Sequence, residues 1–462
     1  MRVFVETHGC RVNRYDGAAL AAALVGRGHE VVDDAADPHD VYVLNSCAVT
    51  STAEAEGRRY LWRARRRLGA SGVVVAIGCA AEITGAAYSV QAGGPADLVV
   101  GAAAKGDVAA LLDAHLARRA SSISSPTAPT MAAATANSKN GTSTTNTATD
   151  VQSLPVDDRS SRFFYKVQEG CDVRCAFCII PDARGPARSV PPDEALALLR
   201  RARAAGFQEF ILAGIHLGGY GRDLPAPART TLAALCRRVL DGTSVPRLRL
   251  GSIEPWGLRP DFLALYAGEP RLLPSLHVPL QSGSDAVLRA MRRPITAAGY
   301  LAAAERALAA RPDTTLFIDV LVGFPGETDA DFASTVALLA RLPFTKLHVF
   351  PYSERPGTPA ARSTAQRVPD PVKRARVRQL LDWSDERFRA RLAARAGEPD
   401  EVVAESADRG HTRDNLPVHL VVPPGVAPPP RRALVSVTLG AARPRADPPH
   451  LVAFPAFHHH GR

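Results

Sequence analysis

The stretch KVQEGCDVRCAFCIIPDARG, residues 166–185, carries Cys171, Cys175 and Cys178 at the spacing C-x₃-C-x₂-C. It continues RFFYKVQ (162–168), a run with the composition of a β-strand. Thiolates three and four residues apart on one loop can converge on a single metal centre. Structural zinc takes four ligands, and no fourth Cys or His lies close in sequence. We therefore predict a [4Fe–4S] cluster with one open iron. Zinc and three reduced structural thiols are the alternatives.

Outward from this loop, residues 159–396 alternate strand-like runs with helical patterns. The further strand-like runs are 209–215, 247–254, 275–281, 315–324 and 346–352. Six β/α units predict a partial (β/α)₆ barrel, a fold that carries its active groups at the carboxyl ends of the strands. A basic amphipathic helix over 371–396 ends the segment.

Residues 1–118 predict a separate open parallel α/β sheet, with strands at 3–7, 41–46, 73–78 and 97–101. Cys10, Cys47 and Cys79 each follow one of the first three strands. Because the carboxyl ends of parallel strands meet at one edge, we predict a second metal cluster on these three thiols. The alternative is three unrelated buried cysteines. Cys236, the seventh, is predicted to be a buried apolar residue of a helix.

The other segments differ in composition. Residues 119–158 are rich in Ser and Thr, and we predict a disordered linker because they hold too little apolar surface to offset the entropy of ordering. Residues 397–443 contain short β-like pieces between Pro-rich turns and predict a small β-barrel. Residues 444–462, with His458–His460, are predicted to be an unstructured tail.

Composition excludes several classes of protein. The longest apolar runs of the 462 residues are far shorter than the ~20 residues that span a bilayer, which excludes a membrane protein. The start has no secretory signal pattern, and seven cysteines in a long chain do not suit a disulfide scaffold. We expect a cytoplasmic protein with reduced thiols. Its formal charge of +10 favours a polyanionic partner.

Several motifs together resemble the radical S-adenosylmethionine (SAM) methylthiotransferases, closest to the branch acting on tRNA N6-threonylcarbamoyladenosine at position 37. AVTS after Cys47 and HVFPYSERPGT resemble that branch, whereas the isopentenyladenosine branch has a SIRE-like stretch there. The motifs are THGCRVNRYD (7–16), LNSCAVTSTAEAEGRR (44–59), KVQEGCDVRCAFCIIPDARGPARS (166–189), ILAGIHLGGYGRD (211–223), HVPLQSGSDAVLRAMRR (277–293), DVLVGFPGET (319–328) and LHVFPYSERPGTPA (347–360).

The resemblance implies an N-terminal domain with an auxiliary [4Fe–4S] cluster on Cys10, Cys47 and Cys79, a radical SAM barrel and a C-terminal RNA-binding TRAM domain. It implies that the cluster on Cys171, Cys175 and Cys178 cleaves SAM to a radical that abstracts hydrogen from adenine C2, where a methylthio group is then added. The partners implied are tRNA, a reduced electron donor such as flavodoxin or ferredoxin, and a sulfur donor, with no membrane. The candidate SAM contacts are Phe177, Gly214, Ser252, Glu254, Gln281, Asp319 and Phe324.

Some side chains have alternative interpretations. Glu254 also fits a carboxylate at a helix start, and His277 also fits a satisfied core histidine. His216 fits either a strand cap or a ligand contact. Arg184 and Arg188 are expected to reach the substrate nucleotide. The basic stretches 58–67 and 373–379 suit either tRNA phosphates or solvated helix faces.

Other functions stay open at this point. One is methylthiolation of another tRNA adenosine or of a ribosomal protein. Another is a radical SAM reaction of a different type, with the N-terminal cluster used only for electron transfer. A third is a non-catalytic iron–sulfur or zinc protein that binds RNA.

Overall fold

The computed structural model describes residues 1–123, 154–155, 160–443, 446 and 448–455. The chain forms two compact units. The first contains the described residues of Met1–His8, Asp16–Ser46 and Glu56–Asp157, and the second contains those of Gly9–Tyr15, Cys47–Ala55 and Asp158–Arg462. Within the described residues, no helix combines the length and apolar character needed to cross a membrane.

The first unit is built on a parallel sheet, as predicted. Its order is β2-β1-β3-β4-β5. The strands are β1 (Arg2–Thr7), β2 (Glu30–Val32), β3 (Val41–Ser46), β4 (Val73–Gly78) and β5 (Leu98–Gly101). The helices of this part of the chain are α1 (Arg11–Gly26), α2 (Ser51–Leu68), α3 (Cys79–Thr84) and α4 (Val108–Ile123). β3 and β4 are buried at every residue, which is why both read as continuous apolar runs.

Two features of this region differ from the prediction. The three-residue strand β2 was missed because it is too short to give a periodic signal. Helix α4 continues to Ile123, so it takes up the first residues of the linker predicted over 119–158. Apart from Leu154 and Pro155, the rest of that segment lies outside the described residues.

The second unit contains the predicted partial barrel. Its sheets have the orders β7-β6-β8-β9 and β10-β11-β12, and parallel bridges from Leu248 to Leu272 and from Ser252 to His277 connect them. The strands are β6 (Phe163–Glu169), β7 (Arg188–Ser189), β8 (Glu209–Gly214), β9 (Arg247–Leu250), β10 (Ser275–His277), β11 (Thr315–Val322) and β12 (Lys346–Pro351). The helices are α5 (Ile180–Arg184), α6 (Pro192–Ala204), α7 (Leu232–Gly242), α8 (Pro260–Gly268), α9 (Asp285–Ala290), α10 (Ala297–Ala310), α11 (Asp329–Ala340) and α12 (Asp370–Ala394). Cys236 is fully buried in α7, as predicted.

A closed five-stranded barrel follows α12. Its order is β13-β14-β15-β17-β16. The strands are β13 (Pro399–Ala404), β14 (Arg409–His411), β15 (Pro417–Leu420), β16 (Leu434–Arg443) and β17 (His450–Pro455). The boundary predicted for a tail over 444–462 is therefore wrong. β17 pairs with both β15 and β16 and places Leu451 and Ala453 in the core, so without it the barrel would not close. His458–His460 lie outside the described residues.

A buried charge cluster joins the partial barrel to the closed barrel. Glu209 of β8 accepts ion pairs from the Nε atoms of Arg247 and Arg249 of β9, each at 2.8 Å, and all three side chains are at most 1% exposed. Both Nη atoms of Arg247 and Nη2 of Arg249 donate to backbone carbonyl oxygens of the closed barrel, including those of Glu401 and Thr412. Burial alone would raise the pKa of Glu209, but the two arginines outweigh it and hold that pKa far below its ordinary value.

We expect Glu209→Gln to lower the apparent free energy of unfolding by about 3–5 kcal/mol, because two buried guanidiniums lose their counter-charge. Urea unfolding followed by circular dichroism measures this change. The matched control is Glu305→Gln, which removes an exposed carboxylate 3.7 Å from Arg341 and should change stability by less than about 0.5 kcal/mol. Equal effects of the two substitutions would contradict the structural role of Glu209.

Candidate functional site

The loop after β6 carries the first three cysteines, and all three are partly exposed free thiols. The charges of Cys175 and Cys171 both act on Cys178, so the three thiols lie in one neighbourhood. Burial raises the pKa of Cys171 to about 11 and that of Cys178 to about 12, although each sulfur also accepts a backbone hydrogen bond. Neighbouring thiols are costly to deprotonate without a counter-charge. They therefore suit a soft metal cation that stabilises their thiolate forms. Three ligands on one loop fit an iron–sulfur cluster with an open site.

The backbone that precedes Cys171 requires a glycine. Gly170 has φ +69°, and a Cβ there would lie 1.8 Å from the carbonyl oxygen of Pro186. Gln168 fixes the same segment, because its amide nitrogen donates to the carbonyl oxygen of Gly170 and its amide oxygen accepts from the backbone N–H of His216 at 2.7 Å. The end of β6 is thereby connected to the end of β8.

Arg293 is a charged neighbour of this loop that the sequence did not single out. Its Nη1 lies 3.9 Å from Sγ of Cys175, and its guanidinium packs over the ring of Trp256 at 5.0 Å. Nη2 donates to the carbonyl oxygen of Pro279, which fixes the side chain. The only signal was the pair Arg292–Arg293 after a helical pattern, and that pattern is typical of a solvated helix end.

The end of β9 supplies two polar groups. The Oγ atom of Ser252 is buried and has no hydrogen-bond partner within the described residues. Glu254 is 8% exposed and accepts one hydrogen bond from the backbone N–H of Gly218, at 3.1 Å. Burial raises the pKa of Glu254 to about 7. A bound polar cofactor would supply hydrogen-bond partners for the buried hydroxyl of Ser252 and the carboxylate of Glu254.

The end of β8 carries Gly214 and His216. A Cβ at Gly214 would lie 2.8 Å from Leu217 and 3.1 Å from Gln168, so a larger residue would disturb this turn. His216 is buried, and its Nε2 accepts a hydrogen bond from Trp256 Nε1 at 3.0 Å. Burial lowers the pKa of His216 to about 4, so the ring is neutral. This bond fixes Trp256 against His216, and both interpretations of His216 stay predictions.

Gln281 and the turn after β11 border the same edge. Gln281 has φ +77°, a conformation that costs a non-glycine residue roughly 1–3 kcal/mol and that is concentrated at functional sites. In the turn, Glu327 accepts from the backbone N–H groups of Gly323 and Phe324 at 2.7 and 3.2 Å. Phe324 belongs to an apolar cluster against which Phe177 of the cysteine loop packs. Two predicted contacts of the adenosyl group therefore lie in one cluster.

Asp319 lies inside β11 and not at its end. Its Oδ1 is 2.6 Å from Nε2 of His277, and it is paired in register with His348 of β12. His277 is therefore a partner of a carboxylate rather than an isolated core histidine. Contact of Asp319 with SAM stays a prediction.

Cys10, Cys47 and Cys79 follow three adjacent strands, β1, β3 and β4. Cys47 and Cys79 come directly after Ser46 and Gly78, which are paired in register. Cys10 is exposed, whereas the other two are buried. Gly9, with φ +97°, lets the chain pass close to Cys47, since a Cβ there would lie 3.0 Å from its Sγ. The expected adjacency of the strands is confirmed, and a shared cluster stays a prediction.

Comparison with known proteins follows the same division of the chain. Residues 165–339 match the Radical SAM superfamily, and residues 2–101 match a family described as Uncharacterized protein family UPF0004. The threonylcarbamoyladenosine tRNA methylthiotransferase MtaB of Bacillus subtilis is 33% identical over 90% of this chain and 87% of its own length. The tRNA-2-methylthio-N(6)-dimethylallyladenosine synthase of Opitutus terrae is 34% identical over 90% of each chain.

The chain belongs to the radical SAM methylthiotransferase family.

Solved structures share the fold of this methylthiotransferase at low identity. The radical SAM methyltransferase TsrM from Kitasatospora setae, solved with cobalamin and a [4Fe–4S] cluster, is 17% identical, with a TM-score of 0.53 over 78% of this chain and 73% of its own. The cobalamin-dependent radical SAM enzyme OxsB is 13% identical, with a TM-score of 0.51 over 78% and 54%. These likenesses support the fold alone.

Two arginines of the methylthiotransferase that were expected to face RNA are buried instead. Arg184 is 3% exposed and bonds the side chains of Glu169 and Asn13, so it is not available to a substrate nucleotide. Arg376, in the stretch 373–379, bonds Glu327 at 2.7 Å and Asp329 at 2.6 Å. These predictions are wrong because sequence does not show which arginines have buried acidic partners.

Other residues of the two basic stretches are exposed, so contact with tRNA phosphates stays a prediction for them. The exposed side chains are Arg59, Trp62, Arg63, Arg66 and Arg67 on α2, and Arg374 and Arg378 on α12. Cations beside an exposed indole suit phosphate contacts and base stacking. Arg188 is also exposed.

We expect Arg376→Leu to lower stability by about 3–5 kcal/mol, because buried Glu327 loses its counter-charge and the turn at Gly323 loses its anchor. Arg374→Leu, two residues away on the exposed face of α12, should change stability by less than about 0.5 kcal/mol. Urea unfolding of both variants measures the difference. If Arg376→Leu leaves stability unchanged and weakens RNA binding, Arg376 contacts RNA and its structural role is contradicted.

Proposed function

We propose that the protein is a tRNA methylthiotransferase that converts N6-threonylcarbamoyladenosine at position 37 to its 2-methylthio derivative. The observation that carries this proposal is the pair of cysteine triads, each at the carboxyl ends of parallel strands, in a chain of the methylthiotransferase family. Each triad leaves one coordination position of a four-iron cluster for chemistry.

The residues present fit the implied cofactors. Cys171, Cys175 and Cys178 would hold one [4Fe–4S] cluster, and Cys10, Cys47 and Cys79 the other. When bound, the clusters supply the electron that cleaves SAM to a radical and the site at which sulfur is methylated before transfer. A radical is needed because no side-chain base removes the proton of an inert C–H bond at adenine C2.

The chain's own groups bind and orient SAM. Glu254 would accept a hydrogen bond from the amino group or the ribose, and Ser252 Oγ would gain the partner that it lacks in the fold. Phe177 and Phe324 supply apolar surface for the adenosyl group and exclude water. Gly214 and Gln281 shape the adjoining strand ends.

The partners follow from the same proposal. The substrate is tRNA, contacted by the exposed arginines of α2 and α12 and by the closed barrel. A reduced donor such as flavodoxin or ferredoxin would supply electrons, and a separate donor would supply sulfur. The reaction would take place in the cytoplasm.

A second candidate substrate is N6-dimethylallyladenosine. It is favoured by the 34% identity to the synthase of Opitutus terrae, which matches the similarity to the MtaB proteins. The motifs AVTS and HVFPYSERPGT favour the threonylcarbamoyl branch.

Mass spectrometry of tRNA nucleosides tests the proposal. Deletion of the gene should abolish 2-methylthio-N6-threonylcarbamoyladenosine, and the wild-type gene should restore it, whereas a Cys10→Ala gene should not. Restoration by a Cys236→Ala gene is the control for a buried cysteine outside both triads. An unchanged nucleoside profile in the deletion strain would overturn the proposal.

Iron analysis tests the two clusters separately. Anaerobically purified protein should contain about eight irons per chain, and simultaneous replacement of Cys171, Cys175 and Cys178 by Ala should leave about four. The triple variant of Cys10, Cys47 and Cys79 should also leave about four and should still cleave SAM. Stoichiometric zinc without SAM cleavage would contradict the assignment.

Substitutions at the end of β9 test the SAM contacts. Glu254→Gln and Ser252→Ala should each raise the KM for SAM by about 10-fold or more, because each removes a hydrogen bond in a buried site. SAM cleavage at increasing SAM concentration measures KM and kcat separately. Ser334→Ala, on the exposed side of α11, is the matched control. An unaltered KM in both variants would remove these residues from the SAM site.

A further inference from the structure

A polar cluster lies inside the partial barrel, below the strand ends that border the SAM site. It consists of His277 of β10, Asp319 of β11 and His348 of β12, whose ligand atoms all lie within 4.8 Å of one another. The rings of His277 and His348 are 5.1 Å apart, and Phe317 stacks on His348 at 6.3 Å. None of the three is fully buried, so the cluster is accessible from the barrel interior.

Packing does not explain this cluster. The pair of His277 and Asp319 satisfies one nitrogen and one oxygen at 2.6 Å. The imidazole of His348 makes no hydrogen bond within the part of the chain that the structure describes. Burial lowers the pKa of His348 to about 4, so its neutral ring offers one donor and one acceptor. Because the ring is partly exposed and has no protein partner within the described residues, a ligand could bond its nitrogens.

A cation lies within electrostatic range of the cluster. The charge of Arg11, at the start of α1, acts on His348, and the charge of Asp319 acts on Arg11. Arg11 has no salt bridge within the described residues, and its side chain is partly exposed. Its other charged neighbours are Arg14, Arg162 and Arg249. Arg162 is paired with Glu405 and Arg249 with Glu209, whereas the charge of Arg11 stays available to an anion.

The two candidate nucleosides differ in the group that this interior would receive. A dimethylallyl group is a small hydrocarbon with no hydrogen-bonding atom. A threonylcarbamoyl group has a urea, a hydroxyl and a carboxylate. A site built from polar side chains strongly rejects an apolar analogue, because the analogue leaves those side chains unpaired. An apolar pocket rejects a polar analogue much less strongly.

We propose that Arg11, His277, Asp319 and His348 form the subsite for the N6 substituent and select the threonylcarbamoyl group. Arg11 pairs with the carboxylate, and His348 and Asp319 bond the hydroxyl and urea atoms. His277 is a positioning residue that holds Asp319. This inference rests on the proposed function and names the determinant of its substrate.

The test uses anticodon stem-loop RNAs of one sequence that carry, at position 37, threonylcarbamoyladenosine, its threonyl methyl ester, or dimethylallyladenosine. With the reconstituted full-length enzyme, kcat/KM should favour the first RNA over dimethylallyladenosine by at least 100-fold. The methyl ester, which removes the anion without altering the protein, should lose at least 10-fold in binding by fluorescence anisotropy.

His348→Leu should reduce the preference for threonylcarbamoyl over dimethylallyl RNA by at least 10-fold, mainly through KM. His348→Gln keeps a donor and an acceptor and should retain the preference within about threefold. His115→Leu, in α4 of the other unit, is the matched histidine control. The preference is a ratio, so partial loss of folded protein does not change it.

Each outcome separates the two proposals. If the wild-type enzyme modifies none of the RNAs, the proposed function fails. If it modifies the threonylcarbamoyl RNA but the ester and His348→Leu have no effect, only the subsite is overturned. A wild-type preference for dimethylallyl RNA overturns the subsite. Stoichiometric zinc lost specifically in His348→Leu would instead identify a metal site.

Discussion

The salt bridges of Glu209 with Arg247 and Arg249 are the interaction on which the central part of the molecule depends. Three fully buried charges neutralise one another only where β8 and β9 are in register, and carbonyl oxygens of the closed barrel accept hydrogen bonds from both arginines. Since they are fixed at the amino-terminal ends of these strands, chemistry is confined to the opposite ends. The closed barrel thus contributes to the geometry of the partial barrel in addition to any contact with RNA.

Parallel topology turns distant cysteines into groups. Cys47 and Cys79 are 32 residues apart in the chain, yet each follows a residue of one register pair. This constraint made the second triad predictable, because strand position could be read from apolar runs. The first triad was predictable for a different reason, since its spacing is local. The strands, the helices and the adjacency of the strands that precede the second triad were therefore within reach of the sequence, whereas a shared cluster stays a prediction.

What the sequence did not reveal depends on partners far along the chain. Arg184 and Arg376 looked like surface cations, but their buried acidic partners are visible only after folding. Arg293 reaches Cys175 from 118 residues away. β17 was missed because prolines surround it, although its alternating Leu451 and Ala453 complete the core. Local patterns predict elements, whereas the pairing of charges depends on tertiary contacts.

The division of the arginines matters for how a basic protein recognises RNA. The formal charge of +10 counts every cation equally, but many of them are held in buried pairs that contribute little field outside the protein. The charge available to phosphates lies on exposed faces, such as Arg59, Arg63 and Arg66 on α2. Arg11 is a third kind, partly withdrawn from solvent and without an acidic partner among the described residues. A cation in that position does not strengthen general binding to a polyanion, and its desolvation is offset only when one particular anion enters. Exposed arginines therefore set affinity for RNA as a class, while a withdrawn one sets which nucleoside is accepted.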